Sequence, residues 1–206
     1  LHIASGSTTG HAIIMTDPSG ENSIVIYPGA NRETTKDQIG SALSEASSGD
    51  ILLMQNETNQ QAYTAKTAKE LGLKVIYAAA PFEAKSVADI LPYIDILVLN
   101  EIEAEQLESS CGQGLQSLGV DHIFVTRGSR GGKHFDKLKD KTTHFDAIPV
   151  KAVDTTGAGD TFTGYLAAGL DRGLSFEQSI LLATRAAALM VKRHGTSDVI
   201  PDLKEI

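Results

Sequence analysis

The chain has one cysteine, Cys111, among 206 residues. It can therefore form no internal disulfide, which excludes a disulfide-stapled scaffold and favours a reducing compartment. Cys111 itself is expected to be an ordinary thiol. No uninterrupted apolar run reaches membrane-spanning length; even ILLATRAAALMV, near the end, carries Arg185 in its middle. No basic segment followed by an apolar core opens the chain. A basic surplus is missing too. Lys plus Arg is 18 against 26 Asp plus Glu, a net charge of -8, which argues against nucleic acid or an anionic membrane as partner. A small anionic ligand stays compatible, because a few backbone amides can hold a phosphate without a basic patch. These absences lead us to expect a soluble, cytoplasmic protein.

What is present is a rhythm of apolar runs and helical patterns. HAIIMTD and NSIVIYPG flank the turn signal DPSGE (Asp17 to Glu21), which predicts a hairpin. From Thr34 the period changes: TTKDQIGSALSEAS sets Ile39, Leu43 and Ala46 at helical spacing, with Thr34 or Thr35 as N-cap. Strands DILLMQ, KVIYAAA, DILVLN and HIFVTRG then alternate with helices NQQAYTAKTAKELG (ending at Gly72), SVADILPY and EIEAEQLES. KHFD and THFDAIP predict a short added hairpin. IPVKAVD reads as a strand, and two helices follow, Asp160 to Asp171 and Phe176 to roughly Arg193. Nearly apolar strands alternating with helices imply right-handed crossovers and a parallel sheet covered on both faces. The expected fold class is α/β, three layers (α/β/α) around a mainly parallel sheet. No internal repeat or low-complexity linker is found.

Such sheets bind ligands beyond the carboxyl ends of their strands. The residues just past each strand are Gln55 to Glu57, Asn100 to Glu103, Thr126 to Gly131 and Asp154 to Asp160. All four sets are polar or glycine-rich, and this architecture brings them to one edge. The most informative is VDTTGAGDTFTGYLAAGL, Val153 to Leu170. A Walker A loop needs a lysine after its last glycine, and Gly159 is followed by Asp160. A dinucleotide fingerprint needs a glycine where Phe162 stands. What remains is a glycine turn before a helix, whose free amides and dipole make an anion hole from Gly157, Ala158 and Gly159. An isolated Asp160 would be a simple N-cap. Beside a cradled phosphoryl group it can instead take the proton of an attacking hydroxyl.

VDTTGAGDTFTG resembles the C-terminal signature of the ribokinase-like (PfkB-type) carbohydrate kinases, and the likeness extends over essentially the whole chain. LNEIEAEQL is similar to that family's N-E-x-E segment and VTRGSRGG to its nucleotide loop. GENSIVIYPGAN points to ribose within the family. The resemblance implies an ATP-dependent kinase, with Mg2+ and a monovalent cation (K+) as cofactors. It implies Asp160 as catalytic base and as a substrate contact, with Gly157, Ala158 and Gly159 as anion hole. Asn100, Thr126, Arg127, Gly128, Ser129, Arg130, Gly131, Gly159 and Thr184 would meet the nucleotide. Glu103 would organise Mg-ATP indirectly, and Glu57 would contact the sugar. Asp154 and Thr156, with carbonyls around Met190, Arg193 and Gly195, would hold the monovalent cation. Residues 1–31 would be half of a β-lid over the sugar, through which a homodimer could form, and 32–206 the nucleotide-binding catalytic domain.

The resemblance also has departures. The family's N-terminal third, with its glycine-rich segment and sugar-gripping aspartate, has no counterpart here, and Leu1 is not Met. The stretch between Leu107 and His122 is short, and Val199 stands where a cation-site hydroxyl is expected, with Ser197 nearby. We therefore expect these residues alone to leave a sheet edge open, to bind adenine nucleotide weakly and to phosphorylate no sugar. Three readings stay open: a ribose kinase, a relative acting on fructose, 2-keto-3-deoxygluconate or a nucleoside, and a non-catalytic nucleotide-binding fragment. Taken singly, Asn100 would be a turn residue, Glu103 a solvated acid and Thr126 strand-end filler. The six histidines lack metal-ligand spacing and are expected on the surface or satisfied in the core.

Overall fold

Apolar runs become strands where neighbouring residues can be buried on opposite sides. In the computed structural model, which describes residues 3–16 and 22–206, the main sheet has six strands. They are β3 (Ile51–Gln55), β4 (Lys74–Ala78), β5 (Ile96–Asn100), β6 (His122–Thr126), β7 (Gly132–Asp136) and β8 (Lys141–Phe145), in that spatial order. The first four pair in parallel, and β6–β7–β8 are antiparallel. The added hairpin expected from KHFD and THFDAIP thus extends the sheet. The opening strands, β1 (His11–Thr16) and β2 (Asn22–Tyr27), pair antiparallel in a separate two-stranded sheet. The turn expected at Asp17 to Glu21 lies outside the described residues.

Alternation along each strand builds two cores. Val75, Tyr77, Leu97, Leu99, Ile123 and Val125 face one way. They are covered by α1 (Lys36–Leu43), α2 (Gln61–Glu70), α3 (Ala84–Ile90) and α4 (Glu101–Cys111). Ile76, Ala78, Ile96, Val98 and Phe124 face the other, under α5 (Ala158–Asp171) and α6 (Phe176–Met190). The three-layer fold follows from this division. Thr35 is the N-cap of α1: its hydroxyl accepts from Gln38 N at 3.3 Å, while Gln38 Oε1 accepts from Thr35 N at 2.8 Å. Among the described residues no strand pairs with the outer side of β3, where Leu53 is 41% exposed. The apolar residues Ile13, Ile14, Ile24, Val25 and Ile26 of the small sheet are also exposed.

Three expectations need correction. IPVKAVD is not a strand: Pro149 has no N–H to donate to a ladder, and the amides of Val153 and Asp154 both turn to the carbonyl of Val191, at 2.7 and 3.2 Å. The helix after it starts at Ala158 rather than Asp160, because Thr161 N already bonds to Gly157 O at 2.9 Å. The last long helix ends at Met190, short of Arg193.

Two features of this packing can be tested. A Cβ on Gly169 of α5 would lie 2.6 Å from Oγ and 3.1 Å from Cα of Ser179 on α6, so the helices touch through a missing side chain. Gly169→Ala should destabilise the protein by about 1–3 kcal/mol, read as a lowered denaturant midpoint. The second concerns His134, which is buried, stacked on Phe124 at 4.3 Å and joined to His122 through a 3.1 Å ring-nitrogen hydrogen bond. Burial, with His122 adding, pushes its pKa down to about 4. The unfolded chain, with an ordinary histidine near 6.5, therefore takes up the proton first as pH falls. Stability present above pH 6.5 should be lost between 6.5 and 4, by about 1–3 kcal/mol. Melting temperature against pH should show that slope, and His134→Phe should flatten it.

Candidate active site

The strand ends do converge. At the carboxyl end of β6, Thr126, Gly128, Ser129 and Gly131 line a cleft of 610 Å³, together with Ala158 and Gly159 of α5 and Thr184 of α6. Most of its wall is apolar, from Phe145, Ile148, Val150, Ala187, Ala188 and Val191. Arg127 and Arg130 belong to the same loop but do not line the cleft. Arg127 Nη2 donates to Arg130 O at 3.2 Å, and Arg130 pairs with Glu101. The loop needs glycine at Gly131, where φ is +74° and a Cβ would fall 2.0 Å from Phe145 O.

One end of the cleft is the start of α5. Gly157, at φ +78°, is the N-cap and offers no side chain to the helix. Ala158 N is taken by Thr155 O at 3.2 Å. Among the described residues, no protein acceptor meets the amides of Gly157, Gly159 or Asp160, and nothing lies within 4 Å of where a Gly159 Cβ would stand. Free amides at the positive end of a helix make a site for an anion. An apolar slot ending in such amides accommodates an elongated ligand with a flat apolar end and an anionic end.

Asp160 occupies the third position of α5. Its Oδ1 accepts from Gln55 Nε2, at the end of β3, at 2.7 Å. Glu57 is exposed two residues beyond Gln55, while the intervening Asn56 is buried and anchored by bonds to Ala80 O and Pro81 O, both 2.8 Å. Asn100 and Glu103 form a reciprocal capping box on α4: Asn100 Oδ1 accepts from Glu103 N and Glu103 Oε2 from Asn100 N, each at 2.8 Å. Burial raises the Glu103 carboxyl above its ordinary pKa, and the Asp160 charge adds to this. Both acids therefore share one field.

Behind the turn, Asp154 Oδ1 accepts from Thr156 N at 2.9 Å. The Thr156 amide and hydroxyl hold the Asp154 carboxyl below its usual range, with Gly195 N–H and His194 adding. This carboxylate stays charged at neutral pH with the 190–195 segment against it. The Met190 carbonyl accepts from Arg193 N at 2.9 Å, and Arg193 donates to Val199 O at 3.2 Å, so Val199 contributes a carbonyl bond where a hydroxyl was expected. Among the described residues no group of three or more His, Cys, Asp or Glu side chains is arranged to hold a metal. Nor, among the described residues, is any helix long and apolar enough to cross a membrane.

Sequence reasoning missed Gln55 as a partner of Asp160 and missed the apolar cleft wall. A bond over 105 residues leaves no local signal. Phe145 carried one, as the apolar end of a strand-like run before a proline.

Comparison with known proteins is consistent along the chain. The model for the pfkB family carbohydrate kinases matches residues 1–203. A ribokinase of Haemophilus influenzae is 33% identical over 217 residues, covering all of this chain and 70% of the relative. A ribokinase of Lactococcus lactis is 33% identical over 97% of this chain, which spans 66% of its length. The crystal structure of a ribokinase from Thermotoga maritima superimposes with a TM-score of 0.84 at 37% identity, over 98% of this chain and 70% of that one.

Thr184 supplies a test of the cleft. Its buried Oγ1 has no hydrogen-bond partner among the described residues, and an unsatisfied buried hydroxyl costs about 1–3 kcal/mol. Thr184→Val should raise the melting temperature of the ligand-free protein. A lowered one would show that the hydroxyl is already satisfied.

Proposed function

The chain belongs to the pfkB family of carbohydrate kinases, phosphotransferases with an alcohol acceptor, and from that premise we propose that it moves the γ-phosphoryl group of ATP to a primary hydroxyl of ribose. The observation that carries this reading is the meeting, at one sheet edge, of the free α5 amides and the Asp160 carboxylate. The Arabidopsis thaliana ribokinase, 32% identical over 97% of this chain with a TM-score of 0.80, was solved with ribose and ATP bound. Relatives of that name support ribose as the sugar.

In this reading the adenine lies in the apolar slot between Phe145 and α6, near Thr184, and the phosphates run past Gly128 to the amides of Gly157, Gly159 and Asp160. The Asp160 carboxylate accepts the proton of the sugar hydroxyl as its oxygen bonds to the γ-phosphorus. The bond from that phosphorus to the bridging oxygen breaks, and ADP leaves with the electron pair. The amides stabilise charge on the transferring group without reorganising, since the turn already holds them in place. Mg2+ bound with ATP would neutralise phosphate charge, and Asn100 and Glu103 are the residues that would meet it through water. Asp154, with backbone carbonyls of Thr156, Met190, Arg193 and Gly195, would hold a monovalent cation and brace the turn. Arg127, Ser129, Arg130 and Gly131 complete the nucleotide loop, and Glu57 orients the sugar. Residues 1–31 act as part of a lid, through which two copies would pair.

Two measurements test this. Asp160→Asn in the intact protein should leave ATP affinity nearly unchanged and lower kcat by at least about 10²-fold; near-native turnover would remove the base assignment. Replacing potassium by a large monovalent cation should lower activity, and Asp154→Ala should abolish that difference. Equal rates with both cations in the native protein would sink the cation site.

A further inference from the structure

The Asp160 carboxylate is exposed on the first turn of α5, and an exposed aspartate ordinarily samples several rotamers. Here one oxygen is claimed. Gln55 Nε2 donates to Oδ1 at 2.7 Å from the end of β3, on the far side of the site from the nucleotide loop. A carboxylate only accepts, so the Gln55 amide must present its NH2 group to it.

Gln55 is itself held by a chain of hydrogen bonds that starts in the core. Tyr77 is fully buried in β4, and its hydroxyl donates to Gln61 Oε1 at 2.9 Å. Burial raises the Tyr77 pKa, with the Glu83 charge adding, so the phenol keeps its proton and remains a donor. That choice orients the Gln61 amide. Its Nε2 then donates to the backbone carbonyls of Gln55, at 2.8 Å, and Thr58, at 2.9 Å. The series fixes the backbone at the end of β3, from which the Gln55 side chain reaches Asp160.

We propose that Gln55 is a positioning residue for the reaction: it ties Asp160 Oδ1 to the end of β3 so that the other oxygen is left to receive the proton of the acceptor hydroxyl. The inference rests on the reading of Asp160 as base. Its physical content is orientation. A base held in one rotamer meets the hydroxyl in line with the transferring phosphorus, whereas a free one spends most of its time elsewhere, and misplacement on the scale of 1 Å can cost about 10²-fold in rate. Gln55 does not line the apolar cleft proposed for the nucleotide, so its effect belongs in kcat and not in nucleotide affinity.

The test is a double-mutant cycle in the intact protein, using Gln55→Leu, Asp160→Asn and the two combined, with melting temperatures to confirm folding. Gln55→Leu should lower kcat by about 10- to 100-fold while the KM for ATP stays within about twofold. In the Asp160→Asn background the same change should cost nothing further, because a residue that acts only through Asp160 has nothing left to position. A native kcat in Gln55→Leu overturns the proposal, as does a full additional loss in the double variant, which would assign Gln55 a general structural role. Activity retained by Asp160→Asn is a different failure, that of the base assignment, and the single variants tell the two apart.

Discussion

One carbonyl determines where the turn before α5 begins. Val191 O accepts the amides of both Val153 and Asp154, and this joins the stretch before α5 to the C-cap of α6. From there the turn is built step by step: Asp154 accepts from Thr156 N, Thr155 O accepts from Ala158 N, and Gly157 reverses the chain into α5. Each bond contributes only about 0.5–1.5 kcal/mol net, but a buried amide left without a partner costs about 1–3 kcal/mol, so it is the alternative placements that are penalised. The position of α6 comes in turn from its contact with α5 at Gly169 and Ser179 and from the sheet face beneath both. The free amides at the start of α5 therefore inherit their position from apolar packing some distance away.

The electrostatics of this site run against its proposed ligand. The chain carries a net charge of -8, and Glu103 and Asp160 stand close enough for one to raise the pKa of the other. The nearby arginines do not line the cleft: Arg130 pairs with Glu101, and Arg127 Nη2 bonds the backbone of its own loop while its buried Nε has no partner among the described residues. What would draw an anion is thus the partial charge of oriented peptide groups, which Gly157 as N-cap leaves without a capping side chain. An acid can then sit within the anion site without abolishing it. A lysine in the place of the amides would pair with Asp160, and each charge would offset the other.

Much of this was legible in the sequence, for definite reasons. The strands β4, β5 and β6 are buried on both faces and read as apolar runs, and α1, α4 and α6 begin at capping boxes whose residues are local in sequence. The gathering of Asn100, Thr126 and Gly128 at one edge follows from parallel topology alone, whereas Gly159 reaches it from a segment that is not a strand. IPVKAVD failed because composition reports that a segment is extended and does not report which partner its amides find. Asn100 and Glu103 carried an N-x-x-E capping signature that explains their spacing without any ligand, and the structure makes that bond. The histidines gave no signal of the buried His122–His134 pair, since the two come together only when β6 and β7 align.

Gln55 illustrates what no local pattern can hold. In sequence it is the polar end of an apolar strand, a place where glutamine needs no explanation. In the fold, the same strand end bonds Asp160 through Gln55 and carries the exposed Glu57 two residues later. β3 pairs on one side only among the described residues, so its end is held by the β4 ladder and by the Tyr77–Gln61 link rather than by neighbours on both sides. An Asp160 fixed to α5 alone would move with that helix. Through Gln55 it also follows the strand end that carries Glu57, and under the proposed function this would refer the proton acceptor to the side of the cleft where the sugar hydroxyl would lie.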